Sequence, residues 1–311
     1  MTPNWLIALP FALMPLIFHW MPTWRHNGIW FGVTVAPDHP SSAEGLATLR
    51  AFRTAVWLLG LAAVAMALLA PFGPWTLPVA MLLEIVGMFG AMLAARRQTM
   101  PYAVRPAAVR SVALLEPPET IPFGLAAPGV PLVILGGAAF YSYTAGTWHH
   151  TADLLLAGLV QTGIMLVMGL GILRRSPRAR VAANAAATIR FRRVMVEYMI
   201  VGAWLMSALL AAVAVAPGIP PMLFPLVFPA LAIPYVWRLI RLGRASGAGG
   251  DGTPDECWKL GLFYFNPADP AIFVEQRFGI GYTVNFANHA TWIFAGVIGA
   301  LSFSPILLRY L

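Results

Sequence analysis

The sequence predicts an all-α membrane protein of about eight transmembrane helices, N-out/C-out, with a cytoplasmic cap built from the first loop and the C-terminal loop. Three observations predict it. The 311 residues are 59% hydrophobic and 10% charged, with a mean hydropathy of +0.74; so few charges cannot cover a soluble globule of this length, and lipid is the expected solvent. Runs of mainly apolar residues, each near the roughly 20 needed to cross hydrocarbon, lie at 4–20, 54–73, 76–95, 126–144, 153–173, 194–216, 220–241 and 289–308. The basic residues alternate with these runs: all 20 but Arg309 fall in four segments, after the first, third, fifth and seventh. Short loops rich in Arg and Lys stay cytoplasmic, so these segments share one side and the uncharged connections 71–75, 144–151 and 217–221 the other. An even number of crossings agrees with that alternation.

The first run, 4–20, has no basic residue before it and no small-x-small cleavage site closing it, so it is expected to be a retained helix and not a removed signal peptide. Pro10 and Pro15 bend it. The loop from Trp24 to Pro40 is too aromatic for a solvated tether and is expected to pack on the bundle or in the headgroup layer. Ser41 or Ser42 followed by Glu44 marks a helix start, and the basic stretch after it, with Arg50 and Arg53, is expected to lie as an amphipathic surface helix.

Small residues around Gly60, Gly87 and Gly90, and at Gly163, Gly169 and Gly171, predict close helix approach. Glu84 stands in the middle of the third run and Glu197 near the start of the sixth; a carboxylate in hydrocarbon is costly, so each should face the bundle interior, find a partner or stay protonated. Glu84 is the better functional candidate, while Glu197, close to Arg193, reads as an interfacial ion pair. His149, His150 and Asp153 form a polar cluster at the outer end of the fifth run. Their types are ordinary metal ligands, but adjacent helical residues point about 100 degrees apart, so helix capping by water is expected and no metal.

The seventh run carries Pro225, Pro229 and Pro234 and should be bent or broken. Residues 1–242 then form a seven-helix bundle that includes the first cytoplasmic loop, 243–257 a flexible linker rich in Gly and Ser, and 258–311 a C-terminal cytoplasmic motif with the last helix. Cys257 is the only cysteine, which excludes disulfides within the chain and cysteine zinc sites. The net charge of +8 and pI near 10.2 point to the bilayer and its anionic headgroups as partners, not to nucleic acid, because the arginines sit at the ends of apolar runs.

The most specific stretch is Trp258 to Phe286. Trp258, Tyr264, Asn266, Asp269, Phe273, Arg277, Gly279, Gly281 and Asn285 are its candidate cap or partner contacts. Asn-Pro and Asp-Pro favour turns, and the two glycines open backbone conformations closed to other residues. Gly279-Ile-Gly281 lacks the third glycine and the strand–helix setting of a dinucleotide site. The expected structure is a folded cap on the inner face, with Arg277 paired to a carboxylate or a lipid phosphate.

This stretch resembles a C-terminal domain of unknown function in bacterial multispanning proteins, with the pattern W-K-x-G-x-x-Y-x-N-P-x-D-P-x-x-F-V-x-x-R-x-G-x-G-x-T-x-N-F. The loop Phe31-Gly-Val-Thr-Val-Ala-Pro-Asp38 resembles their first loop. Some of these proteins are distantly similar to the SdpI-like immunity and signalling family, whose outer I-P-x-H-W pattern this chain lacks after the fourth run. The resemblance implies a bacterial cytoplasmic-membrane address and little mechanism.

No paired intramembrane aspartates, no H-E-x-x-H and no G-x-S-x-G occur, and no haem or quinone signature, so the expectation is a non-enzymatic protein without a cofactor. It is expected to recruit a protein partner at its cytoplasmic face, in signalling, immunity or as an accessory subunit. The alternative is a proton- or ion-coupled transporter using Glu84 and the seventh run.

Overall fold

Eight helical segments, three short hairpins and one pair of strands distant in sequence lie in the described parts of the computed structural model, which are residues 4–24, 28–68, 75–105, 112–113, 120–175, 178–179, 185–216, 233–242 and 252–308. The helices are α1 (Asn4–Trp20), α2 (Ala43–Leu68), α3 (Thr76–Thr99), α4 (Ala126–Thr144), α5 (Trp148–Arg175), α6 (Ala185–Val215), α7 over 233–242 and α8 (His289–Leu308). Five helical stretches are long and apolar enough to cross a membrane: Ala43–Leu68, Thr76–Tyr102, Ala126–Thr144, Thr151–Arg174 and Ile189–Val215. Ala8–Thr23 and His289–Ala300 are shorter apolar helices. Most of the seventh predicted run, with Pro225 and Pro229, lies outside the described residues, as do 243–251 of the expected linker and most of the connections 71–75 and 217–221.

The expected surface helix ahead of the second run does not exist as a separate element. Helix α2 continues from Ala43 into the span without a break, because neither Pro nor an unpacked Gly interrupts it: Gly45 lies against the His39 carbonyl and Gly60 against the Pro15 ring. Ser42 caps it, its hydroxyl accepting from the Gly45 amide at 3.1 Å. Helices α5 and α6 likewise begin several residues before the predicted runs. Hydropathy marks only the hydrocarbon-length core of a helix, and the helix continues where its residues are good formers, as in Ala185-Ala-Ala.

α1, α2 and α3 pack on one another, as do α4, α5 and α6, and α8 packs on α5. Close approach uses only some of the expected small residues: a Cβ on Gly60 would lie 2.5 Å from the Pro15 ring of α1, and one on Gly87 2.6 Å from Leu59 of α2, whereas one on Gly90 or Gly163 would meet nothing within 4 Å. Between α5 and α6 the buried hydroxyls of Thr162 and Ser207 meet at 2.6 Å.

Each helical segment brings one end to the same face of the molecule. There the paired strands sit, three of the pairs being hairpins: β1 (Ile29–Trp30) with β2 (Val33–Thr34), β5 (Trp258–Lys259) with β6 (Phe263–Tyr264), and β7 (Phe273–Glu275) with β8 (Tyr282–Val284), while β3 (Val112–Ala113) pairs with β4 (Arg178–Ala179) across α4 and α5, all antiparallel. The β5–β6 and β7–β8 hairpins join through a parallel bridge from Tyr264 to Asn285. The β7–β8 hairpin straddles the two helix groups. Phe278 at its turn enters the core of α1–α3 with Phe31, Phe52, Met88 and Met92, while Phe273 enters the core of α4–α6 with Ile172, Val196 and Leu239.

Candidate functional site

The cap begins with two hairpin turns that meet back to back. Phe31 and Gly32 both have positive φ, +47° and +75°, the signature of a two-residue type I′ turn. Leu260 and Gly261 repeat the pair at +54° and +76°. A Cβ on Gly32 would lie 2.9 Å from the Gly261 carbonyl oxygen, so the contact requires glycine. Phe31 tolerates its backbone because its ring packs edge-on to Trp30 and Phe52 and stacks on Phe278, centroids 6.1 Å apart.

Two buried arginines and one aspartate lock these turns. Arg96, from the last turns of α3, donates from Nη1 to the Gly32 carbonyl at 2.6 Å and from Nη2 to the Trp258 carbonyl at 3.4 Å. Arg277, 2% exposed, donates from Nη1 to Asp255 and from Nη2 to the Thr253 hydroxyl at 3.0 Å. Its guanidinium lies 5.1 Å over the Trp258 ring. The Asp255 carboxylate also accepts from the Thr34 amide at 3.1 Å and the Thr34 hydroxyl at 2.7 Å. Two cations facing one carboxylate leave one positive charge in excess, and the backbone carbonyls of Gly32, Thr253 and Trp258 accept further Nη donors from the two guanidiniums.

The other motif residues build the platform under this lock. Tyr264 donates to Asp269 Oδ2 at 2.9 Å, and Asp269 Oδ1 accepts the Ala271 amide at 2.9 Å. Asn285, 0% exposed, accepts the Asn266 amide at 3.0 Å and donates to the carbonyls of Asn266 and Asp269, each at 2.9 Å. Its own carbonyl accepts the Thr291 hydroxyl at 2.7 Å, which ties α8 to the cap. Phe273 fills the notch at Gly171, where a Cβ would lie 2.5 Å from its ring. Gly279 lies against Met21, and Gly281 has φ +141°.

All nine candidate cap residues therefore come together; their polar groups are used within the cap, while the Phe273 ring roots it in the helices. What the cap turns outward is different: Leu260 (50% exposed), Phe263 (43%) and Phe265 (46%) on the β5–β6 hairpin. Sequence reasoning missed Asp255, Thr253, Thr34 and Arg96. The first two fell inside the expected linker, whose segment from Gly252 to Cys257 is a folded part of the cap with a 3₁₀ turn at Asp255–Cys257. Only the buried Arg277, needing a carboxylate, signalled such a partner.

The remaining candidates stay apart from the cap. Glu84 is 3% exposed on the α3 face that carries Ala80 and Met88, and its Oε1 has no hydrogen-bond partner among the described residues. Glu197 pairs with Arg193 at 3.3 Å and with Arg238 at 3.7 Å. His149, His150 and Asp153 lie in the first two turns of α5 at the opposite end of the bundle. No group of three His, Cys, Asp or Glu suited to a metal occurs among the described residues.

Residues 267–292 match a family of unknown function, DUF5808. The matched stretch holds the β7–β8 hairpin, Asp269, Arg277, Asn285 and the start of α8; Trp258, Tyr264 and Asp255 lie before it. No curated protein and no solved structure matches the chain.

Proposed function

We propose that this chain is a non-enzymatic integral membrane protein that acts by docking a protein partner on its cap. The observation that carries this reading is the division of labour within the cap: the motif residues are spent on rigidity, and the rigid β5–β6 hairpin holds three large apolar side chains, Leu260, Phe263 and Phe265, outward. Fixed, exposed aromatic and aliphatic anchors are what binding surfaces supply. The proposal includes eight crossings, both termini outside, and a cap in the bacterial cytoplasm facing anionic headgroups. The arginine alternation supports that orientation, and the shared face of all the helix ends agrees with it. Signalling, immunity, or an accessory place in a larger membrane complex is the role class suggested by the distant similarity of some proteins with this cap motif to the SdpI-like family.

The test is extraction of tagged protein in native lipid nanodiscs, followed by mass spectrometry, for the wild type and for Leu260→Asp with Phe265→Asp. Leu260 already has a positive φ, which Asp accepts more readily than Leu, so the pair should fold. A stoichiometric protein that co-purifies with the wild type and is lost from the variant is expected. A wild type that retains no protein at all would remove the proposal.

A second reading, a proton- or ion-coupled transporter, is favoured by one observation: the buried Glu84 with an unpartnered oxygen. Proton-coupled uptake or ion-stress growth that Glu84→Gln leaves unchanged would dismiss it.

A further inference from the structure

At the end of the bundle opposite the cap, α4 and α5 border an open cleft of about 510 Å³. Its walls are two apolar stripes at helical spacing: Leu132, Leu135, Gly136 and Ala139 on α4, and Ala152, Leu156 and Leu159 on α5. From Trp148 to Leu159 it runs about 16 Å along α5, at 1.5 Å per residue. Leu135 and Leu155 back it and are themselves held by Ala211 and Ala214 of α6, so the cavity has a packed floor.

One side chain in this lining carries a charge. Asp153 borders the cavity near its outer end, beside Trp148, which is part-exposed there. The carboxylate makes no ion pair among the described residues, and all 20 basic residues but Arg309 belong to the four segments that alternate with the uncharged connections. His149 and His150 precede Asp153 on the same helix, and the lining itself holds no arginine or lysine, so an anionic group at this mouth would face the carboxylate without a guanidinium or ammonium in the lining to offset it. A cation would meet the carboxylate and, beside it, the face of an indole. Below the mouth only hydrocarbon lines the walls, which suits an alkyl chain and excludes a polar body.

We propose that this cleft is a binding site for a long-chain alkylammonium amphiphile, its ammonium at Asp153 and Trp148 and its chain along Leu156, Leu159 and Leu132. The site is separate from the cap and independent of the docking reading. It explains why a carboxylate borders an otherwise apolar cavity whose wall is opened by a glycine: a Cβ on Gly136 would meet nothing within 4 Å.

The experiment is calorimetric titration of dodecylamine into phosphatidylcholine nanodiscs holding the full chain, with empty nanodiscs subtracted. Saturable binding is expected, with dodecanoic acid unable to compete. Asp153→Asn should weaken binding about tenfold, a change well within what one charge contact supplies. Gly136→Phe should abolish it by filling the cavity, and its open surroundings let it fold, which unchanged alkylation of Cys257 in the distant cap confirms. Equal binding by wild type and Asp153→Asn overturns the proposal. So does loss of binding when phosphatidylethanolamine replaces phosphatidylcholine, since that result assigns the cleft to a resident aminophospholipid.

Discussion

Asp255 joins Arg277 to Thr34, accepting the arginine's Nη1 donor and both the amide and the hydroxyl of Thr34. One carboxylate thus ties the C-terminal hairpin to the first loop across a sequence separation of 221 residues. Removing one member of a buried ion pair leaves the other desolvated and unpaired, which costs about 3–5 kcal/mol. Asp255→Ala and Arg277→Met should each open the cap by that order. The only cysteine, Cys257, lies between Asp255 and Trp258 and reports the opening directly: alkylation in the purified protein should be much faster in both variants. The double variant should react little faster than either single one, because the two residues act as one unit.

Gly32 gives a sharper test of the back-to-back turns. Gly32→Ala meets the Gly261 carbonyl at 2.9 Å and must hold φ +75°, a conformation costing an L-residue about 1–2 kcal/mol before any clash is counted. Faster Cys257 alkylation and a lower melting temperature are expected. Gly163→Ala in α5 is the control: a Cβ there meets nothing within 4 Å, and replacing a mid-helix glycine stabilises by about 0.5–1 kcal/mol. If both substitutions behaved alike, the turn contact would not be what holds the cap.

These residues also show what the sequence could and could not reveal. The span at 126–144 coincides with α4 because apolar run and helix end together at Thr144. The start of α2 was missed because a helix does not stop where hydrocarbon stops. Arg277 announced that it needed a partner, since a buried guanidinium must be paired, but nothing local named Asp255: it sits in a segment whose Gly and Ser content looks like a tether. Arg96 was hidden differently. Beside Arg97 it carries the same topological signal, yet α3 turns Arg96 into the cap and Arg97 outward, a distinction of one helical position that charge counting does not make.

Thr162 and Ser207 tie α5 to α6. The Ser207 hydroxyl donates to the Ala203 carbonyl at 2.8 Å, so the proton in the 2.6 Å contact is that of Thr162. Thr162→Val keeps the shape and removes the bond, and should cost about 0.6 kcal/mol, at most about 1.7. Thr162→Ser should restore most of it. A melting temperature unchanged by Thr162→Val would mean that the apolar packing around the pair supplies the whole interaction.

The proposed orientation makes a prediction that the arginines alone carry. In a Cys257→Ser background, Leu260→Cys places a thiol on the exposed tip of the β5–β6 hairpin, and Ala145→Cys places one in the exposed α4–α5 connection at the other end. Basic loops held inside by the positive-inside rule put these two thiols on opposite sides of the membrane. A membrane-impermeant maleimide applied to intact cells should label Ala145→Cys and leave Leu260→Cys unlabelled until the membrane is permeabilised. The reverse pattern would invert the protein and move the docking surface outside. Labelling of both from outside would break the alternation itself, since the three helices α5, α6 and α7 lie between the two sites and both thiols can share a side only if an even number of them crosses.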